Sequence, residues 1–93
     1  MIVSFRSAET RRIWSGERSR RYPGEIQATA LRKLRLLAAA QRLEDLRIPP
    51  GNRLEALRGD RAGQHSIRIN DQWRICFRWT AGGPDDVEIV DYH

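Results

Sequence analysis

Cysteine is nearly absent from this chain, with Cys76 the single example among 93 residues. A lone thiol excludes an internal disulfide and any zinc site built on several thiolates, since both draw several sulfurs from one chain. Cys76 therefore reads as a small buried hydrophobe. Long apolar runs are missing as well. No stretch approaches the roughly 18 consecutive apolar residues of a membrane span, and the start MIVSFRSAET lacks the basic and apolar regions of a secretory signal. The expectation is a cytoplasmic protein with no membrane association. Lysine is almost absent too: seventeen Lys+Arg stand against twelve Asp+Glu, a formal charge of +5, and every basic residue except Lys33 is arginine. Guanidinium presents a planar fork of donors that matches two phosphate oxygens. A GC-rich genome would produce the same bias whatever the function, so charge alone does not name the partner. Glycine-rich phosphate loops, Ser/His/Asp signatures and metal spacings such as HExxH are also missing. Their absence excludes the commonest enzyme templates.

What is present suffices for one small domain over residues 1–93 with a single core. Ile2-Val3-Ser4-Phe5 is a β-prone run expected to form a strand. Ser7 is placed to cap a polar, mostly basic helix that runs towards Ser15 and ends at Gly16. Arg18, Arg20 and Arg21 form a basic knot before Tyr22-Pro23-Gly24. From Glu25 to about Leu46, Ile26, Ala30, Leu34 and Leu37, joined by Leu31 and Ala38, recur at helical spacing, the clearest amphipathic pattern in the chain. Glu25 suits the helix dipole, whereas Glu44 and Asp45 oppose it near the expected end. Ile48-Pro49-Pro50-Gly51-Asn52 stops the helix.

The last third reads as a β-meander. His65 to Ile69 alternates, Asn70-Asp71 turns, and Trp73 to Trp79 alternates again, with Trp73, Ile75, Phe77 and Trp79 on one face and Arg74, Cys76 and Arg78 on the other. The apolar face is expected to pack on the long helix. Ala81 to Asp85 turns the chain, and Val87 to His93 forms the next strand. The fold class expected is α/β in the mixed, α+β sense: an N-terminal strand, two helices, then antiparallel strands packed on them.

The chemistry in reach is an arginine-lined strand face and the triplet Asp91-Tyr92-His93. Such a set can cleave RNA without metal. The substrate's 2′-hydroxyl attacks phosphorus, and the protein removes one proton, donates another and stabilises charge on the phosphoryl oxygens. His93, whose imidazole titrates near neutrality, serves as base or acid, with Asp91 on the same face of an extended strand to orient it. The alternative is a solvated surface pair. Tyr92 stacks on a base, donates its phenol proton or packs at the core rim, the usual place for such a residue. Arg74 and Arg78 either bind phosphate or pair with carboxylates across the strands. His65 either joins the groove or begins a strand, and Trp14 is the one tryptophan placed to meet a partner.

Three segments carry a family resemblance: Arg53-Leu-Glu-Ala-Leu-Arg-Gly-Asp60, Gly63 through Asn70-x-x-Trp73-Arg74 to Trp79, and Val87 to Asp91-Tyr92-His93. Together they resemble the HigB toxins, above all the GraT-like members, and Pro49–Asn52 matches in layout as a PPGN connector. The resemblance implies a RelE/ParE-like fold and a ribonuclease that cuts mRNA in the decoding site of the 30S ribosomal subunit. It also implies a HigA-like helix-turn-helix antitoxin, with operator DNA bound only through the toxin–antitoxin complex. Arg74, Asp91, Tyr92 and His93 then fall in the catalytic site, and Arg53, Arg58, Arg61 and Arg78 form the RNA-binding set, with no metal and no cofactor. One departure stands out: the pattern has a histidine where this chain has Glu55, which can act as a base but cannot begin as a cationic acid. A ParE-like gyrase poison and a non-catalytic RNA-binding module are the competing functions.

Overall fold

The computed structural model describes residues 1–92. Helix α1 (Ala8–Trp14) and helix α2 (Gly24–Ala39) come first, followed by 3₁₀ turns at Leu43–Arg47 and Pro50–Asn52. Strand β1 (Glu55–Ala56), a third turn at Gly59–Arg61, β2 (His65–Arg68), β3 (Trp73–Thr80) and β4 (Gly83–Asp91) complete the order. The strands pair antiparallel in the order β1-β2-β3-β4, and the helices cover one face of the sheet. This is the mixed α+β class expected. No helix among the described residues is long and apolar enough to cross a membrane.

The helical stripe is buried as its spacing requires: Ile26, Ala30, Leu34 and Leu37 meet Ile67, Ile75, Phe77, Val87 and Ile89 of the sheet. Complete burial of a side chain such as Leu34 contributes about 1.5–3 kcal/mol. Ser7 caps α1 by accepting the Thr10 N–H at 3.2 Å, and Gly16 follows the helix at φ +83°. Thr10 is buried inside this otherwise polar helix because its hydroxyl accepts the Ile89 N–H at 3.0 Å and meets the Tyr22 hydroxyl at 3.1 Å. That contact fixes α1 to β4.

Three expectations need correction. Helix α2 stops at Ala39, short of Leu46, because the Asp45 carboxylate accepts the N–H groups of Gln41 (2.9 Å) and Arg42 (3.0 Å). Those donors are diverted from a helical ladder, and the two acidic residues of the wrong sign for a helix end instead open a separate turn. The apolar period survives the break, since Leu46 is still buried. The N-terminal run forms one parallel bridge, Phe5 to Val87, in place of a strand. Here β4 is irregular: the register shifts between Cys76 and Arg78, Asp86 has φ 52°, and Ser4 Oγ accepts the Asp86 N–H at 3.0 Å while donating to the Asp85 carboxylate. A side chain thus takes a place in what would be a ladder. Finally, β4 begins at Gly83, not Val87, because Ala81-Gly82 alone make the turn. Gly83 has φ +119°, and a Cβ there would collide with the Met1 carbonyl.

Trp14 also departs from expectation. It is half-buried against the core with its ring centroid 6.3 Å from that of Phe5, so it is not a free partner surface.

Candidate functional site

Antiparallel register decides which side chains meet on the sheet face turned away from the helices. Ser66 pairs with Glu55 on one side and Cys76 on the other, and Arg68 pairs with Arg74, which pairs with Val90. Directly opposed residues share a face, so Glu55, Ser66, Arg68, Arg74 and Cys76 all line this surface. Cys76 is buried, and that burial pushes its thiol up from the ordinary value. It behaves as the small hydrophobe expected.

Arg74 is the centre of the arrangement. It is only 9% exposed, a deep setting for a permanent cation. Its Nε–H donates to Ser66 Oγ at 2.8 Å and an Nη2–H donates to the Arg53 carbonyl at 2.7 Å. Glu55 lies 4.0 Å from Nη2, and the guanidinium sits 5.5 Å from the centroid of the Tyr92 ring, over its face. The Arg53 carbonyl is available because Arg53 takes a left-handed conformation, φ 46°, at the end of the Pro50–Asn52 turn. Asn52, fully buried, holds that turn: its amide donates to the carbonyls of Leu46 (3.2 Å) and Ile48 (3.4 Å) and its oxygen accepts from Lys33. Desolvation, with the nearby Arg32 and Arg68, pulls the Lys33 ammonium below the usual lysine range. The PPGN connector thus links α2 to the functional face.

Tyr92 is 38% exposed and lies beside Arg74, not at the core rim where aromatic residues usually pack. Its N–H donates to the Gln72 carbonyl at 2.7 Å. Asp91 pairs directly with Trp73 and so follows β4 onto the helix-side face, where Gln72 Nε2 donates to its carboxylate at 3.1 Å. His93, together with its expected pairing to Asp91, lies outside the described residues.

The four arginines of the RNA-binding set divide into two groups. Arg53 and Arg58 are exposed on the connector and the loop after β1. Arg61 donates to Gln64 (3.0 Å) and Glu88 (3.2 Å), and Arg78 approaches Asp86 at 3.7 Å. Each of these two thus faces a carboxylate of β4. His65 faces the helices, stacked on Phe77 with 6.3 Å between centroids, and its Nδ1 is buried with no partner among the described residues. It does not join the groove. Two members of the site escaped the sequence reading. Ser66 and Arg68 sit on the same alternating face as Arg74, but only the pairing register shows that they flank it. Arg68 is paired with Asp71, whose carboxyl it holds below the ordinary value.

Chemically, the face offers a pinned guanidinium for phosphate, a partly exposed phenol ring, a carboxylate within reach and the exposed Arg53 alongside. A sequence profile of the RelE-like toxins of type II toxin–antitoxin system HigB matches residues 3–93. The chain is similar to Toxin HigB-1 of Vibrio cholerae serotype O1, 50% identical over 83 residues that span 88% of this chain and 87% of that one. It is also similar to an uncharacterized protein of Haemophilus influenzae, 33% identical over 64 residues, 69% of this chain and 63% of the relative.

Proposed function

The chain belongs to the HigB-like family and is a toxin of a type II toxin–antitoxin system, paired with an antitoxin; on that premise we propose that it is an endoribonuclease acting on mRNA in the ribosomal decoding site. The observation that carries the proposal is the Arg74 guanidinium, held by Ser66 and the Arg53 carbonyl under the Tyr92 ring. A fixed cation of this kind stabilises charge that grows on phosphoryl oxygens during attack more than charge already present in the substrate.

In the reaction proposed, the substrate's 2′-hydroxyl loses its proton and bonds to the adjacent phosphorus. The bond to the 5′-oxygen breaks, and that oxygen takes up a proton. The products are a 2′,3′-cyclic phosphate and a 5′-hydroxyl end. Among the described residues Glu55 is the carboxylate that comes within 4.0 Å of Arg74, and it serves as the base. His93 supplies the proton to the leaving oxygen. Tyr92 offers its ring for stacking on a nucleobase, while Asp91, held by Gln72, orders the end of β4. Arg53 and Arg58 hold neighbouring phosphates. The antitoxin in this reading is a HigA-like helix-turn-helix protein, operator DNA is bound only through the complex, and the site of action is cytoplasmic.

Mapping mRNA ends after induction tests the proposal. Cuts within translated codons are expected. Intact mRNA accompanied by double-stranded DNA breaks would replace the ribonuclease by a gyrase poison, and RNA binding without any cleavage would leave a binding module.

A further inference from the structure

We propose that Ser66 is a positioning residue for catalysis, acting through Arg74; this rests on the ribonuclease reading above. A guanidinium carries five N–H donors. In Arg74, Nε–H is committed to the Ser66 hydroxyl at 2.8 Å and one Nη2–H to the Arg53 carbonyl at 2.7 Å. Both acceptors are neutral, so they fix the orientation of the plane without cancelling its charge. Glu55, at 4.0 Å, is too distant for a hydrogen bond and does not compete for the donors. Among the described residues nothing accepts from Nη1, and the plane lies beside the half-exposed Tyr92 ring. The remaining donors are those left for a phosphate.

The two anchors differ in kind. The Arg53 carbonyl belongs to a turn and depends on the buried Asn52 for its place. Ser66 is 0% exposed, sits mid-strand, and is held on both sides by Glu55 and Cys76 in the ladder. Its hydroxyl is the rigid anchor. Without it Nε–H loses a buried acceptor, and the guanidinium can turn about the single bond left at the Arg53 carbonyl. A displacement of about 1 Å in a group that stabilises a transition state lowers rate by roughly 10²-fold.

The test uses the full chain on ribosomes programmed with mRNA, comparing the wild type with Ser66→Ala, Ser66→Thr, Arg74→Ala and the Ser66→Ala/Arg74→Ala pair. Ser66→Ala is expected to lower kcat by roughly 10–100-fold with KM changed less than about threefold. Ser66→Thr, which keeps the hydroxyl, should recover most of the loss. The double variant should be no slower than Arg74→Ala alone, since a residue that acts through Arg74 has nothing to position once it is gone. Hydrogen exchange at the Arg74 Nε–H, read by ¹⁵N-arginine NMR, gives a measure independent of activity: protection is expected in the wild type and not in Ser66→Ala. A wild type that fails to cleave overturns the ribonuclease reading itself, while protection of Nε–H still tests the anchor. Unchanged kcat in a folded Ser66→Ala, or a further loss in the double variant, overturns the positioning role. Should Ser66→Ala not fold, a Ser66→Thr protein lacking Nε–H protection but fully active would do the same.

Discussion

The Arg74 guanidinium lies over the face of the Tyr92 ring, 5.5 Å from its centroid. Besides stacking on a nucleobase, Tyr92 can hold the arginine with its ring or donate its phenol proton, and two substitutions separate the last two. Tyr92→Phe keeps the face and removes the hydroxyl, whereas Tyr92→Leu removes both ring and hydroxyl. With cation–π contact worth about 0.5–2 kcal/mol, Tyr92→Phe should stay within about tenfold of wild-type kcat and Tyr92→Leu should fall further. A larger loss in Tyr92→Phe would assign the proton to the phenol.

Glu55, at the position where the resemblance to HigB toxins implies histidine, lies 4.0 Å from Arg74. As a general base its removal in Glu55→Gln should lower kcat by about 10²–10⁴-fold. Glu55→His should remain active, with the acidic limb of its pH–rate profile moved towards the imidazole range. An unchanged profile would take Glu55 out of proton transfer.

The division among the arginines is measurable through salt. Arg58 is exposed, while Arg78 faces Asp86 at 3.7 Å and Arg61 faces Glu88 at 3.2 Å. Arg58→Ala should reduce the logarithmic salt dependence of RNA affinity by about 0.7, the share of one phosphate contact on a single strand. Arg78→Ala should leave that slope nearly intact. Equal changes in both would show that RNA displaces the carboxylates.

Asn52 ties its turn to the preceding one through the carbonyls of Leu46 and Ile48 and to α2 through Lys33. Asn52→Ala leaves buried acceptors unpaired, a loss of about 1–3 kcal/mol that urea denaturation should detect. A neutral result would mean that the connector is held by its prolines alone.

Asp45 carries a pH signature. Backbone N–H groups of Arg42 and Gln41 hold its carboxyl below the ordinary 3.8. A depressed folded value means the stabilisation is fully present above about 3.8 and is lost as pH falls through the folded value. The gap in urea midpoint between wild type and Asp45→Ala should therefore be constant near neutrality and close in acid. A gap unchanged in acid would assign the effect to helix propensity.

Those same residues explain how much was legible in the sequence. Periodicity identified the buried stripe from Ile26 to Leu37 and the alternating β3, because burial follows spacing directly. It could not reveal the end of α2, since the apolar period continues through Leu46 while a single carboxylate diverts the backbone. Glu55–Ala56, with neither length nor alternation, forms a strand only because β2 offers an edge. For the site, alternation put Arg74 on the face away from the core, while residue type alone left Tyr92 at the core rim and only the family resemblance drew it, with Arg58, towards Arg74. The place of Ser66 beside Arg74 depends on strand register, and the ion pairs of Arg61 and Arg78 with β4 carboxylates depend on tertiary packing, neither of which local pattern encodes.

The most direct measurement is cleavage by the purified protein of a defined mRNA, with and without ribosomes, followed by analysis of the ends. The expected cuts require the ribosome, leave 2′,3′-cyclic phosphate and 5′-hydroxyl ends, and weaken by about 10²–10³-fold in Arg74→Ala. Intact mRNA, or ends carrying a 5′-phosphate, or an Arg74→Ala protein that cuts as fast as the wild type, would contradict the ribonuclease mechanism.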